Sequence, residues 1–248
     1  VKIIIAPAKK MVVAPDDFAV RDQPEYLAQT RQILAALRQL SYPQAQALWH
    51  CSDKLARPNY DWLQRLDLTR DLTPALIAYS GIQYQYMAPD LFTAPALAYV
   101  QANLRILSGF YGILRPFDGV VPYRLEMQAK LAVAGAKDLY AFWGAWLYQA
   151  LRHEQGPIVN LASQEYTKAI TPYLTANDQL IDVTFGSLVG DRVKVKATLA
   201  KMARGAMVRY LAEHQVTDVA GIRQFDHPDY RFSAARSTAQ HLVFLYQK

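Results

Sequence analysis

The sequence predicts an α+β fold: a mixed α/β single domain with a central mixed, largely antiparallel sheet flanked by helices. Three observations predict it. Short apolar runs suited to strands occur towards both ends of the chain, and several segments between them carry a 3.6-residue apolar period. Strands and helices do not alternate in the regular order of a doubly wound sheet or a barrel. With 248 residues, 52% of them hydrophobic and 19% charged, the chain can build an ordinary globular core. No linker divides it, so residues 1–248 are expected to form one domain.

The elements follow in order. Lys2 to Ala6 reads as a first strand running into a Pro-containing loop that carries Lys9 and Lys10. Pro24 to Leu40 reads as a helix, with Tyr26-Leu27, Ile33-Leu34 and Leu37 on the helical period. Gln44 to His50 and Asn59 to Leu66 are shorter helices. Thr73-Pro74 looks like an N-cap with Pro at N1, although Ala75 to Tyr79 suits a strand equally. Pro95 opens a helix to Asn103, and Leu104 to Leu107 either continues it or forms a strand. Leu139 to Leu151 is apolar and aromatic and reads as one buried helix, with Asp138 as its N-cap. Pro157 to Leu161 is a short buried strand. Leu180 to Phe185 and Arg192 to Ala197 form a hairpin across Gly186 and Gly190. Leu199 to His214 is a helix, and Leu242 to Tyr246 a last strand.

Composition excludes several classes. No apolar run approaches the roughly 20 residues that span a bilayer, and Val1 to Ile5 is too short for a signal-peptide core. The single cysteine, Cys51, rules out an internal disulfide. These features point to the reducing cytoplasm, with no membrane partner. There is no Walker A loop, no G-x-G-x-x-G, no C-x-x-C, no G-x-S-x-G and no His pair at zinc-ligand spacing. The five histidines, His50, His153, His214, His227 and His241, are scattered. The sequence supports no metal or nucleotide cofactor.

Two regions carry chemistry. The net charge is +6, and its densest basic stretch holds Arg192, Lys194, Lys196, Lys201, Arg204 and Arg209 with no acid among them. Alternation puts Arg192, Lys194 and Lys196 on one face of a strand. The helical period puts Lys201, Arg204 and Arg209 within roughly a 140° arc. Together these make a surface suited to phosphates; the plainer reading is a solvated face balanced by acids elsewhere. Asn103 to Met127 reads NLRILSGFYGILRPFDGVVPYRLEM. Gly109 and Gly112 suit a tight turn that offers backbone amides to an anion, with Arg105, Arg115 and Arg124 around it. Pro116 and Pro122 break any helix, so the segment is expected to be an ordered loop. In an extended chain Arg124 and Glu126 share a face.

These stretches resemble the YaaA family of bacterial peroxide-stress proteins, from Lys2 to about Phe244. Ala6-Pro7-Ala8-Lys9 resembles the family's S-P-A-K, and Ser52-Asp53-Lys54-Leu55-Ala56 its S-D-K-L-A. Leu104 to Met127 is close to L-R-x-L-S-G-x-Y-G-x-L-R-P with P-Y-R-L-E-M. Lys137-Asp138-Leu139-Tyr140 and Phe142-Trp143-Gly144 match K-D-L-Y-x-F-W-G. Asn160-Leu161-Ala162-Ser163 with Glu165-Tyr166 matches N-L-A-S-x-E-Y, and Lys201 with Ala203-Arg204-Gly205 resembles K-K-A-R-G. The chain departs from the pattern at Ala6, Lys10, Met202 and Gly81 to Met87.

The resemblance implies a mixed α/β domain with a positively charged cleft. It also implies a role in limiting free iron under hydrogen peroxide, and DNA binding through a helix-hairpin-helix-like element on Leu107 to Ile113. The expected partner is double-stranded DNA, bound with weak sequence preference by a monomer. Lys9, Lys54, Arg115, Arg124, Lys194, Lys196, Lys201 and Arg204 would contact phosphates, joined by amides at Gly109 and Gly112. The alternative is an enzyme on a small anionic or amide-bearing molecule. In it Lys9 and Arg124 clamp the anion, Glu126 is acid or base, Asn160 and Ser163 orient the ligand, and Lys201 adds a second cation. Direct iron storage is the weakest reading, since no E-x-x-H occurs.

Overall fold

The computed structural model describes residues 1–14, 18–152 and 156–247; His153 lies outside them. The first strand, β1 (Lys2–Ile5), is followed by three helices, α1 (Leu27–Arg38), α2 (Tyr42–Trp49) and α3 (Asp53–Arg65). A two-residue strand β2 (Thr73–Pro74) leads into α4 (Ala75–Ala78), α5 (Ile82–Met87) and α6 (Ala94–Asn103). Strands β3 (Leu104–Ser108), β4 (Gly112–Leu114) and β5 (Gly119–Val120) come next, then α7 (Leu139–Trp143) and α8 (Trp146–Arg152). The last part runs β6 (Ile158–Leu161), α9 (Gln164–Thr167), β7 (Leu180–Val189), β8 (Arg192–Lys194), α10 (Ala197–Glu213), α11 (Val219–Arg223), β9 (Tyr230–Phe232) and β10 (His241–Tyr246).

The main sheet has the order β4-β3-β1-β6-β7-β10-β9, with β8 paired to β7. It is mixed and flanked by helices, as expected, but its centre is parallel, and the expected antiparallel majority is not found. The ladders β3/β1, β1/β6, β6/β7 and β7/β10 are all parallel. Within this sheet, among the described residues, antiparallel pairing is confined to β3/β4, β9/β10 and β7/β8. The apolar runs explain this. Ile3, Ile4 and Ile5 are fully buried, and every residue of β3 and β6 is buried, as for strands covered on both faces. Parallel neighbours need long crossovers, and here the crossover from Ile5 to Leu104 contains α1 to α6 among its described residues, which masks the alternation in sequence.

Local chemistry sets the ends of the elements. The Asp138 carboxylate accepts the Ala141 N–H at 2.8 Å and caps α7, as its position predicted. The expected single helix over Leu139 to Leu151 is two, because Gly144 adopts φ +48° and turns the chain between them. Thr73 and Pro74 pair with β5, and it is Pro74, not Thr73, that holds the N-cap position of the short α4, with no side-chain capping hydrogen bond. The segment Asn103 to Met127, expected as an ordered loop, contains the β3–β4 hairpin and the two-residue β5, with non-strand chain between and after them. Among the described residues no helix is long and apolar enough to cross a membrane.

Candidate functional site

In an open α/β sheet the loops after two neighbouring strands diverge where the strand order reverses, and ligands bind in the crevice between them. Here the chain leaves β1 for β3 on one side and later returns to place β6 on the other. The reversal therefore lies between β1 and β6. The loop after β1, Ala6 to Lys10, and the segment after β6, with Ser163 and Glu165, face one cavity of about 490 Å³.

Three further segments close it: the start of α5, the extended stretch Tyr123 to Glu126, and the first half of α10 with Lys201 and Arg204. Two glycines set these distances. A Cβ on Gly205 would lie 2.1 Å from the Gln83 carbonyl oxygen, so only glycine lets α10 lie against α5. A Cβ on Gly109 would lie 2.9 Å from the Glu126 carbonyl carbon, so the hairpin glycine seats the Arg124–Glu126 stretch. All four residues of that stretch, Tyr123, Arg124, Leu125 and Glu126, line the cavity, with Leu125 almost wholly buried between the two charged side chains.

The polar groups are ordered around two carboxylates. Glu126 forms an ion pair with Lys9. The Gln128 side-chain amide donates to Glu126 Oε2 at 3.2 Å, and its backbone N–H donates to Glu165 Oε1 at 3.3 Å, so one residue ties both acids. Burial by itself raises the Glu126 carboxyl, but hydrogen bonds from Lys9 and Gln128 and the charges of Lys9 and Arg124 bring it below the ordinary value. Glu165 moves the other way: burial raises it, and the neighbouring Glu126 charge adds to the rise. The two acids are thus pushed in opposite directions by their surroundings, the kind of difference that separates acid and base roles.

Tyrosines build the floor. The Tyr123 hydroxyl shares hydrogen bonds with Ser108 Oγ at 2.7 Å and Tyr79 Oη at 2.8 Å, and Tyr84 donates to the Ala6 carbonyl at 3.0 Å. Burial pushes the Tyr123 phenol up to about 12, so it stays neutral at pH 7. Among the described residues four buried side-chain nitrogens lack a hydrogen-bond partner. Three of them, Gln83 Nε2, Arg124 Nε and Arg204 Nε, belong to residues of this one cavity. Burial also lowers the Arg204 guanidinium from its ordinary value. No group of three or more His, Cys, Asp or Glu side chains among the described residues is placed to hold a metal ion.

Of the six residues read as a reactive set, Lys9, Arg124, Glu126, Ser163 and Lys201 line the cavity. Asn160 does not. It donates to Asp182 at 2.6 Å and accepts from the Ala162 N–H and the Thr167 hydroxyl, fixing the turn after β6. Of the residues read as DNA contacts, Lys9, Arg124, Lys201 and Arg204 line the cavity, while Lys54, Lys194 and Lys196 stand exposed outside it.

Arg115 is committed elsewhere. Its backbone N–H donates to Asp118 at 2.8 Å, its guanidinium to the same carboxylate at 3.1 Å, and Asp22 lies 3.5 Å away. Gly109 and Gly112 offer no amides to solvent, because the whole turn is buried. Ser108 Oγ takes the N–H groups of Phe110 and Tyr111, and Trp143 Nε1 donates to the Gly109 carbonyl. Leu107 to Ile113 joins two strands, so it is a β-hairpin and not a helix-hairpin-helix.

Sequence reasoning missed Glu165, Lys10, Gln83 and the tyrosines Tyr84, Tyr123 and Tyr166 as lining residues. Glu165-Tyr166 and Tyr123 do sit inside motifs that were noticed, beside Ser163 and Arg124 respectively. The signal was there, attached to the neighbours.

The comparisons agree along the length of the chain. A UPF0246 protein of Lactiplantibacillus plantarum is 68% identical over 246 residues, covering 99% of each chain. One from Lacticaseibacillus paracasei is 58% identical over 244 residues, covering 98% of this chain and 99% of its own. One from Lachnoclostridium phytofermentans is 48% identical over 244 residues, covering 98% and 96%. The family model described as "Peroxide stress protein YaaA" matches residues 1–236. Strand reversal, cavity and motifs thus lie within the matched region, and the chain belongs to the peroxide stress protein YaaA family.

Proposed function

We propose that the chain serves the peroxide-stress response by binding, and acting on, a small anionic molecule in the cavity between β1 and β6. One observation carries the reading. Five residues singled out for reactive chemistry, drawn from four separate stretches of the chain, line one cavity together with a second carboxylate, Glu165. Arg124 and Lys201 hold the anion, Ser163 orients it, and ionised Glu126, poised by Lys9, serves as the base. On this reading the limiting of free iron is indirect, through the molecule bound. The test is equilibrium binding of organic phosphates and carboxylates. Saturable one-site binding is expected, lost in Lys201→Ala with Arg204→Met while the circular-dichroism spectrum is retained. Absence of saturable binding by every anion would overturn the reading.

DNA binding is the second reading, and a different observation favours it. Lys194 and Lys196 are exposed along β8 and the start of α10, which leads to Lys201 at the cavity, and Lys54 is exposed on α3. Contacts of this kind read phosphate and carry no base information. Affinity for duplex DNA is then expected to fall steeply with salt, and Lys194→Ala with Lys196→Ala to flatten the slope. An unchanged slope excludes the strip as a DNA surface.

A further inference from the structure

Resting on that anion pocket, we propose that its ligand is a phosphate monoester with a planar apolar body, its phosphate between Arg124 and Arg204 and its ring against the tyrosine floor. The charges argue for a dianion. The cavity is lined by Lys9, Lys10, Arg124, Lys201 and Arg204 and by two carboxylates. Lys9 is taken by Glu126. That leaves Lys10, Arg124, Lys201 and Arg204 facing Glu165 alone, whose carboxyl burial already pushes towards the neutral form. A single negative charge leaves most of this surplus in place, whereas a doubly ionised phosphate offsets two of these charges.

The two arginines argue for phosphate geometry. Neither makes an ion pair or side-chain hydrogen bond among the described residues, and the Nε of each is buried without a partner. An unpaired buried donor costs about 1–3 kcal/mol, and more when charged. Guanidinium groups stay protonated and match the oxygens of phosphate in a fixed fork. Gln83, with its amide nitrogen also unpartnered, adds a third donor at the same wall.

The floor argues for the ring. Tyr123 and Tyr84 spend their hydroxyls inside the protein, on Ser108, Tyr79 and the Ala6 carbonyl. What they add to the cavity is therefore ring carbon, beside Ile82 and Leu125. A cavity of about 490 Å³ also lies in the range of pockets that enclose whole small molecules rather than bare ions.

Isothermal titration of the full chain at fixed ionic strength tests this with three probes: phenyl phosphate, inorganic phosphate and benzoate. Phenyl phosphate is expected to bind at least tenfold more tightly than either of the others. Arg204→Lys, which keeps the charge but not the fork, is expected to weaken phenyl phosphate binding at least fivefold with the thermal midpoint retained. Lys201→Ala, at an exposed position, is expected to weaken it without disturbing the fold. Benzoate matching phenyl phosphate would overturn the dianion, and inorganic phosphate matching it would overturn the ring; either leaves the anion pocket standing. Benzoate and both phosphates failing to bind would bring down this proposal, and the failure of other organic anions as well would bring down the pocket reading beneath it.

Discussion

Glu126 and Glu165 face the same cavity, touch the same Gln128, and shift in opposite directions. The difference lies in the partners: Lys9 and the Gln128 side-chain amide bind Glu126, with the Arg124 charge nearby, whereas Glu165 accepts the Gln128 backbone N–H against the cost of burial. The linkage signs follow. The depressed Glu126 value gives stability that is present above its unfolded value and lost as pH falls through the folded one. The raised Glu165 value acts the other way, giving stability at low pH that is lost as pH rises through the folded value. Glu165→Gln is therefore expected to melt at a higher temperature than the parent at pH 7, with the gap closing towards pH 4. A melting point lower at pH 7 than the parent's would show that Glu165 is a stabilising anion, contrary to this account. The same residues show what sequence can and cannot supply. Arg124 and Glu126 were placed on one face by simple alternation, because extended chain has a period of two. Glu165 enters the sequence reading only within the Asn160 to Tyr166 motif, because its partner Gln128 lies 37 residues away and no local pattern links them.

At the scale of elements the site depends on how closely two helices approach. α10 lies along α5, and Gly205 is buried at their contact. Gly205→Ala would bring a methyl to 2.1 Å from the Gln83 carbonyl oxygen, with backbone on both sides and nothing flexible to yield. Overpacking of this kind costs typically 1–3 kcal/mol. The variant is expected to lose about that in urea denaturation, and to bind anions less well because Arg204 precedes residue 205 directly. An unchanged midpoint would mean that the helices can separate freely. The helix itself was legible from its apolar period, as were the Asp138 cap and the β7–β8 hairpin. The break at Gly144 was not, since its aromatic neighbours read as one continuous buried face. The turn at Gly109 and Gly112 was misread for a physical reason. Glycines serve both anion-binding turns and tight packing, and here the space they leave is filled by the Glu126 backbone and the Trp143 ring.

For the whole molecule, the parallel centre of the sheet decides where chemistry can sit. β1 and β6 are neighbours whose following loops diverge, and the cavity opens between them. The sequence hinted at this through its uninterrupted apolar runs, which suit strands covered on both faces. The strand order was out of reach, because the partners of β1 lie more than a hundred residues away in sequence and no local period records them. The same topology separates the two functional readings in space: Arg124, Glu126 and Arg204 line the cavity, while Lys194 and Lys196 lie outside it on exposed chain. The most direct test is survival of hydrogen peroxide by bacteria lacking the gene and supplied with variants. Glu126→Gln, made to normal level and folded, is expected to lose protection, and Lys194→Ala with Lys196→Ala to keep it. Full protection by Glu126→Gln together with loss in the lysine pair would contradict this expectation.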